Sequence, residues 1–204
     1  MEDFLDEIPD VELHGERVTL RLLHEGDAAP LFALIDGSRD LLAEHLPWPA
    51  ECTSVEDVAA RIDSWEMQTQ MANGGCWGIF ARSSDPARNP QLAGSSKPAG
   101  NLAGCIMLGW IQAQHRSATV SYWLGEPFTG RGLATDALRT LSRYAFDQLG
   151  LNRLEISAAV SNPRSAAVAT RAGFTQEGFC REYEFINGKF LDHVRFSLLA
   201  RDPR

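Results

Sequence analysis

The stretch that most limits what this chain can fold into is Gly125 to Thr135, GEPFTGRGLAT, placed between the alternating run Ala118–Leu124 and the longest amphipathic segment of the sequence. Leu133, Ala134, Ala137, Leu138, Leu141, Ala145 and Leu149 recur at helical spacing and Gly150 closes the pattern, so a helix is expected over Gly130–Gly150. Arg153–Val160 (RLEISAAV) then reads as a strand, which makes the whole a strand–turn–helix–strand unit. Glycines let main-chain N–H groups come close to an anion, and a helix N-terminus adds about half a positive charge. Arg131 supplies a mobile cation beside them. Such a turn suits a phosphate or pyrophosphate; the alternative is a helix start that merely needs a tight turn.

Three phosphate-binding patterns use a loop of this kind. A P-loop requires G-x-x-x-x-G-K-[ST]. Gly125 and Gly130 have that spacing, but Arg131 and Gly132 stand where Lys and Ser/Thr belong, which removes the magnesium-binding hydroxyl. A dinucleotide fingerprint, G-x-G-x-x-G/A, opens a βαβ unit early in a chain; here Gly130-x-Gly132 meets Thr135 and comes late. The third pattern is the G-x-G/A turn that holds the pyrophosphate of acyl-coenzyme A between a strand and an amphipathic helix. All of its neighbours are present.

The rest of the chain alternates short strands and helices. Glu16–Leu23 and Cys76–Ala81 read as strands, as do Leu102–Trp110 and Ala118–Leu124. Helices are expected at Asp27–Ile35, at 54–71 with Ser54 as cap and Asp57 three residues on, and from Ser161 or Asn162 to Ala172-Gly173. Strands at 175–185 and 190–199 flank Asn187-Gly188, a strong hairpin signal. The order β α α β β β α β α β β implies an α+β (mixed α/β) chain. Residues 1–15 read as a loosely held acidic lead-in, 16–200 as one domain, and 82–100 (RSSDPARNPQLAGSSKPAG) as a loop insertion or lid.

Charge and cysteine usage narrow the function classes. Nineteen Lys plus Arg against 27 Asp plus Glu leave a net charge of −8, which argues against a general nucleic-acid binder. The four cysteines, Cys52, Cys76, Cys105 and Cys180, form no CxxC pair, and the five histidines show no ligand spacing. No metal is expected, and the histidines are read as surface or structural. MEDFLDEIPDVE has six acidic residues and no basic one, unlike a signal peptide, and Leu102–Ile111 is half the ~20 residues a membrane span needs. A cytoplasmic protein without membrane contact is expected.

The ordered series Ser121-Tyr-Trp-Leu124, Gly130-Arg-Gly132-Leu-Ala, Asn162-Pro-Arg-Ser165, Ala172-Gly-Phe174, Glu177-Gly178, Asn187-Gly188 and Asp192 resembles the GNAT acetyltransferase superfamily. Within it the pattern is similar to the ribosomal-protein N-acetyltransferases of the RimJ/RimL type. Val18-Thr-Leu-Arg21-Leu, Leu46-Pro-Trp48 and the capped helix after them extend the likeness over roughly residues 14–200. The superfamily's usual loop, [QR]-x-x-G-x-[GA], is broken at its first position by Pro127, which removes one side-chain contact.

The resemblance implies a GNAT fold: a mixed, mostly antiparallel central sheet with two splayed parallel strands, flanked by helices. It implies acetyl-CoA as co-substrate and direct acetyl transfer to a primary amine. The pantetheine arm would lie along Tyr122, Trp123 and Leu124, with a main-chain N–H near Leu124 polarising the thioester. Gly130, Arg131, Gly132, Leu133, Ala134 and Thr135 would wrap the pyrophosphate, bordered by Phe128. Asn162 would bond a pantetheine amide and Ser165 would protonate the leaving thiolate, although both residues also suit a helix start.

For the base, the resemblance points to Glu184, before the Asn-Gly turn; a surface carboxylate is the alternative. In an uninterrupted strand Glu182 and Glu184 face one way and Tyr183 the other. Glu126 is a weaker rival, and Asp192 is assigned a structural role. Trp48 would border the acceptor groove, unless it is simply a turn aromatic. The favoured acceptor is a protein N-terminus, with a small amine (antibiotic or polyamine) as the alternative. A non-catalytic acyl-CoA-binding module is a further reading, and a homodimer is conceivable.

Overall fold

The computed structural model describes residues 5, 7–82 and 100–203. Its strands are β1 (Leu13–His14), β2 (Val18–Leu22), β3 (Gly74–Arg82), β4 (Gly100–Gln112), β5 (Ser117–Leu124), β6 (Arg153–Ala159), β7 (Thr175–Ile186) and β8 (Lys189–Leu199). The α-helices are α1 (Ala28–Asp36), α2 (Arg39–Ala43), α3 (Val55–Gln70), α4 (Leu133–Asp147) and α5 (Pro163–Arg171). The strands form one sheet in the order β1-β2-β3-β4-β5-β6-β8-β7. Every neighbouring pair is antiparallel except β5 and β6. The expected mixed, mostly antiparallel sheet is therefore present.

Strand alternation sends successive side chains to opposite faces, and each face meets its own helices. Trp77, Ile79, Ile106 and Leu108 are fully buried on the side covered by Leu138 and Leu141 of α4 and Ala169 of α5. Cys76, Cys105 and Trp123 pack on the other side against Leu31 and Ile35 of α1 and Val58 and Ile62 of α3. α3 starts as its sequence indicates: Ser54 Oγ accepts from the N–H of Asp57, and the Asp57 carboxylate accepts from the N–H of Ser54. Arg21 clamps the buried Asp27 with two hydrogen bonds of 2.7 Å, tying the end of β2 to the start of α1. Burial alone would raise the Asp27 carboxyl, but the Arg21 guanidinium and the N–H of His24 together outweigh it and hold it below the usual range.

Several elements differ from the sequence expectation. β1 and α2 are too short to leave a periodic signal. The described part of the acidic lead-in is docked rather than loose: Ile8 is buried, β1 pairs with β2, and Tyr144 of α4 donates to the carbonyl of Pro9. α4 begins at Leu133 rather than Gly130, because Gly130 and Gly132 both adopt left-handed conformations outside the helix. Of the expected loop at 82–100, residues 83–99 lie outside the described residues; its ends, Arg82 and Gly100, face each other as the last pair of the β3–β4 ladder.

Candidate active site

A cleft arises where the parallel β5–β6 ladder stops. β5 and β6 pair at Ser117↔Arg153, Ala118↔Leu154 and Thr119↔Glu155, and no further. β5 stays bound to β4 up to Gly104↔Leu124, while β6 follows β8 up to Ala159↔His193. The two halves of the sheet thus diverge, leaving main-chain groups of Val120–Leu124 on an unpaired inner edge. The gap encloses about 520 Å³ and is lined by β5, β6, the start of α5, the β7–β8 hairpin and the His45-Leu46 segment.

Past the C-terminal end of β5, outside the residues that line the cleft, lies the glycine turn. Gly130 (φ 73°) and Gly132 (φ 77°) are left-handed, a conformation that costs other residues roughly 1–2 kcal/mol. No side chain caps α4 at Gly132. Asp136, the only acidic residue of the helix's first turn, instead accepts from the main-chain N–H of Arg17 (2.7 Å), just before β2, and of Val18 (3.1 Å), at its start. Leu133, Ala134 and Thr135 are buried, so what they offer outward at the helix start is backbone. The helix N-terminus therefore remains open to an anion. Arg131 packs its guanidinium over Phe128, 5.7 Å from the ring centre. A Cβ built on Gly132 would lie 3.9 Å from the Arg17 side chain, so a second cation flanks the turn. Arg17 escapes a local motif search because it arrives from the segment just before β2.

Along the free edge of β5, Tyr122 and Trp123 point to opposite faces. Trp123 is buried among α1 and α3 and packs on Trp48 (ring centres 5.6 Å apart), so its ring is turned away from Tyr122 and α5. Tyr122 points toward α5, where its hydroxyl donates to the carbonyl of Ser165 (2.9 Å) and lies 3.1 Å from Ser165 Oγ. Burial, only partly offset by Ser165 and Arg171, pushes the phenol up to about 12, so it stays protonated at neutral pH. Asn162 caps α5 by accepting from the N–H of Ser165 with its Oδ1. Asn162 and Ser165 therefore do begin a helix, and both also line the cleft.

The β7–β8 hairpin, which also lines the cleft, carries Glu184. Asn187 (φ 50°) and Gly188 (φ 76°) make the tight turn that Asn-Gly signals, and Asn187 Nδ2 donates to the carbonyl of Ala43, fastening the hairpin to α2. Alternation fails just before it. Cys180 pairs with His193 and Glu184 with Leu191, so three residues oppose Asp192 alone. Glu182 turns left-handed (φ 48°), and Asp192 Oδ1 accepts its N–H at 2.7 Å. Period-two reasoning put Tyr183 opposite Glu184; with the bulge both line the cleft and Glu182 does not.

The bulge sets Glu184 against a residue the sequence did not single out. Glu184 Oε2 is 3.3 Å from Nε2 of His193, which is only 4% exposed and packs on the Tyr183 ring at 4.8 Å. Glu155 also lines the cleft, but Arg153 (2.6 Å) and Arg195 (3.1 Å) neutralise it. Trp48 does not line the cleft; it sits on Trp123 with Arg61 over its other side, 5.1 Å from the ring centre. Glu126 is exposed, its N–H bonded to Ser38 Oγ.

The four cysteines are free thiols, three of them buried. Among the described residues no cluster of three or more His, Cys, Asp or Glu could hold a metal ion, and no helix is long and apolar enough to cross a membrane.

The profile of the acetyltransferase (GNAT) domain matches residues 17–175. YdaF, a candidate ribosomal N-acetyltransferase of Bacillus subtilis (strain 168), is 34% identical over 92% of this chain and 94% of its own. The solved structure of RimL, a ribosomal L7/L12 alpha-N-protein acetyltransferase in complex with coenzyme A, superposes with a TM-score of 0.77 at 25% identity, covering 95% of this chain and 97% of that one. The microcin C7 self-immunity acetyltransferase MccE, in complex with acetyl-CoA and AMP, gives a TM-score of 0.77 at 25% identity over 90% and 93% of the two chains.

Proposed function

The chain belongs to the GNAT acetyltransferase family and is an acetyl-CoA-dependent N-acetyltransferase; from that premise we propose that its acceptor is a single primary amine, the α-amine of a protein N-terminus. Acetyl-CoA, when bound, supplies an acetyl group on a thiol that leaves readily. The fit of this chain to that ligand rests on the open α4 N-terminus between two left-handed glycines, flanked by Arg131 and Arg17, and on the unpaired edge of β5.

On this reading the amides of Gly130–Thr135 hold the pyrophosphate, with Phe128 at its border. The backbone of Tyr122–Leu124 pairs with the pantetheine arm as an added strand would, and one N–H near Leu124 polarises the thioester carbonyl. Asn162 Nδ2 remains available to a pantetheine amide. Ser165 Oγ donates the proton that the leaving sulfur takes up. Tyr122, protonated and 3.1 Å away, orients that hydroxyl. Glu184 holds the acceptor amine, and holding both reactants in register is itself worth a large part of the rate.

The observation that carries the acceptor class is the charge of the far end of the cleft. Among the described residues two carboxylates line it; Glu155 is already paired with two arginines, which leaves Glu184, beside the ring of His193, for an incoming cation. A single carboxylate matches a single ammonium group. A polyamine carries several ammonium groups and would need further carboxylates. The relatives named for ribosomal-protein acetylation agree with this choice, while MccE keeps a small-molecule acceptor as the competing outcome.

The test is release of free thiol from acetyl-CoA across a panel: peptides with free Ser or Ala N-termini, the same peptides N-blocked, spermidine and an aminoacyl nucleotide analogue. Turnover is expected with the free peptides and not with the blocked ones. Turnover with spermidine or the nucleotide alone would overturn the peptide assignment. Acetyl-CoA binding without turnover on any amine would mark a non-catalytic acyl-CoA-binding module.

A further inference from the structure

His193 was not marked by the sequence, yet it is the most buried ionisable side chain that faces the cleft. It sits on β8, between β6 and the edge strand β7, 4% exposed, with neither ring nitrogen in a well-formed hydrogen bond. A buried polar group without a partner is costly, and a fold that retains one at the wall of a cleft invites a functional reason. Its Nε2 lies 3.3 Å from Glu184 Oε2, close enough for ion-pair contact but off the line of a good hydrogen bond. Tyr183 packs against its ring and holds its plane.

Resting on the acetyl-transfer reading above, we infer that Glu184 and His193 form a proton-relay pair, in which the carboxylate receives the acceptor's ammonium group and the imidazole takes the proton that the amine must lose before it can attack. The balance is simple. One N–H bond of the ammonium breaks, its electron pair stays on nitrogen, and a new N–H bond forms at Nε2 by way of the carboxylate, which ends unchanged. The second proton lost as the amide forms balances the one gained by the leaving sulfur, and His193 returns its proton to solvent. His193 is thus a positioning and proton-holding residue that acts through Glu184.

Its surroundings suit that task. Burial pushes the imidazole below the ordinary histidine value; Glu184 on β7 and the adjacent Asp192 pull it partly back, and His45 pushes it down again. Arg195, two residues along β8, is engaged by Glu155. Tyr183 contributes a ring face. The result is an imidazole that is neutral at pH 7, able to accept a proton.

The experiment has two arms. In the first, NMR of the imidazole Cε1–H of isotopically labelled protein follows the titration of His193 without any acceptor. Wild type should titrate below an ordinary histidine, and Glu184→Gln should move His193 lower still, since a charge that raises it has been removed. A titration indifferent to Glu184 would overturn the pair.

In the second arm, thiol release is followed from pH 6 to 9.5 with the peptide that turns over. His193→Gln should lower kcat about 10²-fold at pH 7, with the affinity for coenzyme A, read by calorimetry, unchanged. The deficit should shrink as pH approaches the acceptor's own pKa, because the free amine no longer needs a base. A deficit constant across pH would indicate a structural role and sink the relay, as would full activity in the variant. If no amine is acetylated while the two titrations remain coupled, the acetyl-transfer reading falls and the pairing stands.

Discussion

Past β5, at the start of α4, the chain offers main-chain amides from consecutive residues, Gly130 to Thr135, whereas at the hairpin end of the cleft the facing groups are side chains brought from separate segments: His45, Tyr183, Glu184 and His193. The first is a local device. Its geometry follows from two glycines and a helix start, so it tolerates changes elsewhere and serves any ligand that carries the same anion. The second is a tertiary device whose members depend on a bulge, a hairpin and the end of α2 staying in register. In the proposed function, a cofactor common to many enzymes is met by backbone, and a particular acceptor by side chains.

The strongest way to break that contrast is Gly132→Val. A β-branched residue is badly strained at φ 77°, and close approach of the main chain to an anion would be lost. Calorimetry should show coenzyme A affinity falling by roughly 10²-fold or more, from about 1–2 kcal/mol of left-handed strain plus lost charge-assisted hydrogen bonds. Unchanged affinity would remove the phosphate cradle. Next in size is Glu184→Gln: kcat should drop about 10²-fold at pH 7 while coenzyme A binding stays as it was. An effect on cofactor affinity instead would place Glu184 at the wrong end of the cleft.

Asp192→Ala probes the bulge itself. With the N–H of Glu182 unpaired, the Tyr183–Glu184 segment should lose its orientation and kcat should fall about 10-fold, with the loss of one charge-assisted hydrogen bond. Near-wild-type kinetics would mean that the bulge is held by backbone alone. Tyr122→Phe should cost about 5-fold or less in kcat, as expected from a neutral hydrogen bond, and that loss should be constant from pH 6 to 9. The sign follows from the phenol being raised to about 12: it is protonated throughout that range and contributes no titration of its own. The smallest effect belongs to Arg17→Ala, an exposed cation, which should weaken coenzyme A binding about 3-fold at low salt and less at high salt.

Much of the fold was legible because its signals are short in range. The stripe of α4, the capping box of Ser54 and Asp57, and the Asn187-Gly188 turn each need only a few neighbouring residues, and each is present in the structure. The site was legible only in part. Tyr122 and Ser165 were both named, but nothing in either segment announces that their hydroxyls meet at 3.1 Å. Trp48, expected at the acceptor groove, packs on Trp123, whose ring a strand's alternation carries to the opposite face of the sheet from Tyr122. His193 was passed over because a lone histidine in a strand looks the same whether its neighbours are solvent or a carboxylate.

Sequence alone determined the pieces that local chemistry dictates: the longer strands and helices, the tight turn at Asn187-Gly188, and the glycine-rich start of α4. Tertiary structure alone decided where β5 and β6 part, that Arg17 joins the glycine turn, and that a three-residue bulge opposite Asp192 swings Glu184 against His193. The reason is range. Main-chain conformation answers to the nearest few side chains, while ion pairs and cleft walls are made between residues that meet only after the sheet has closed.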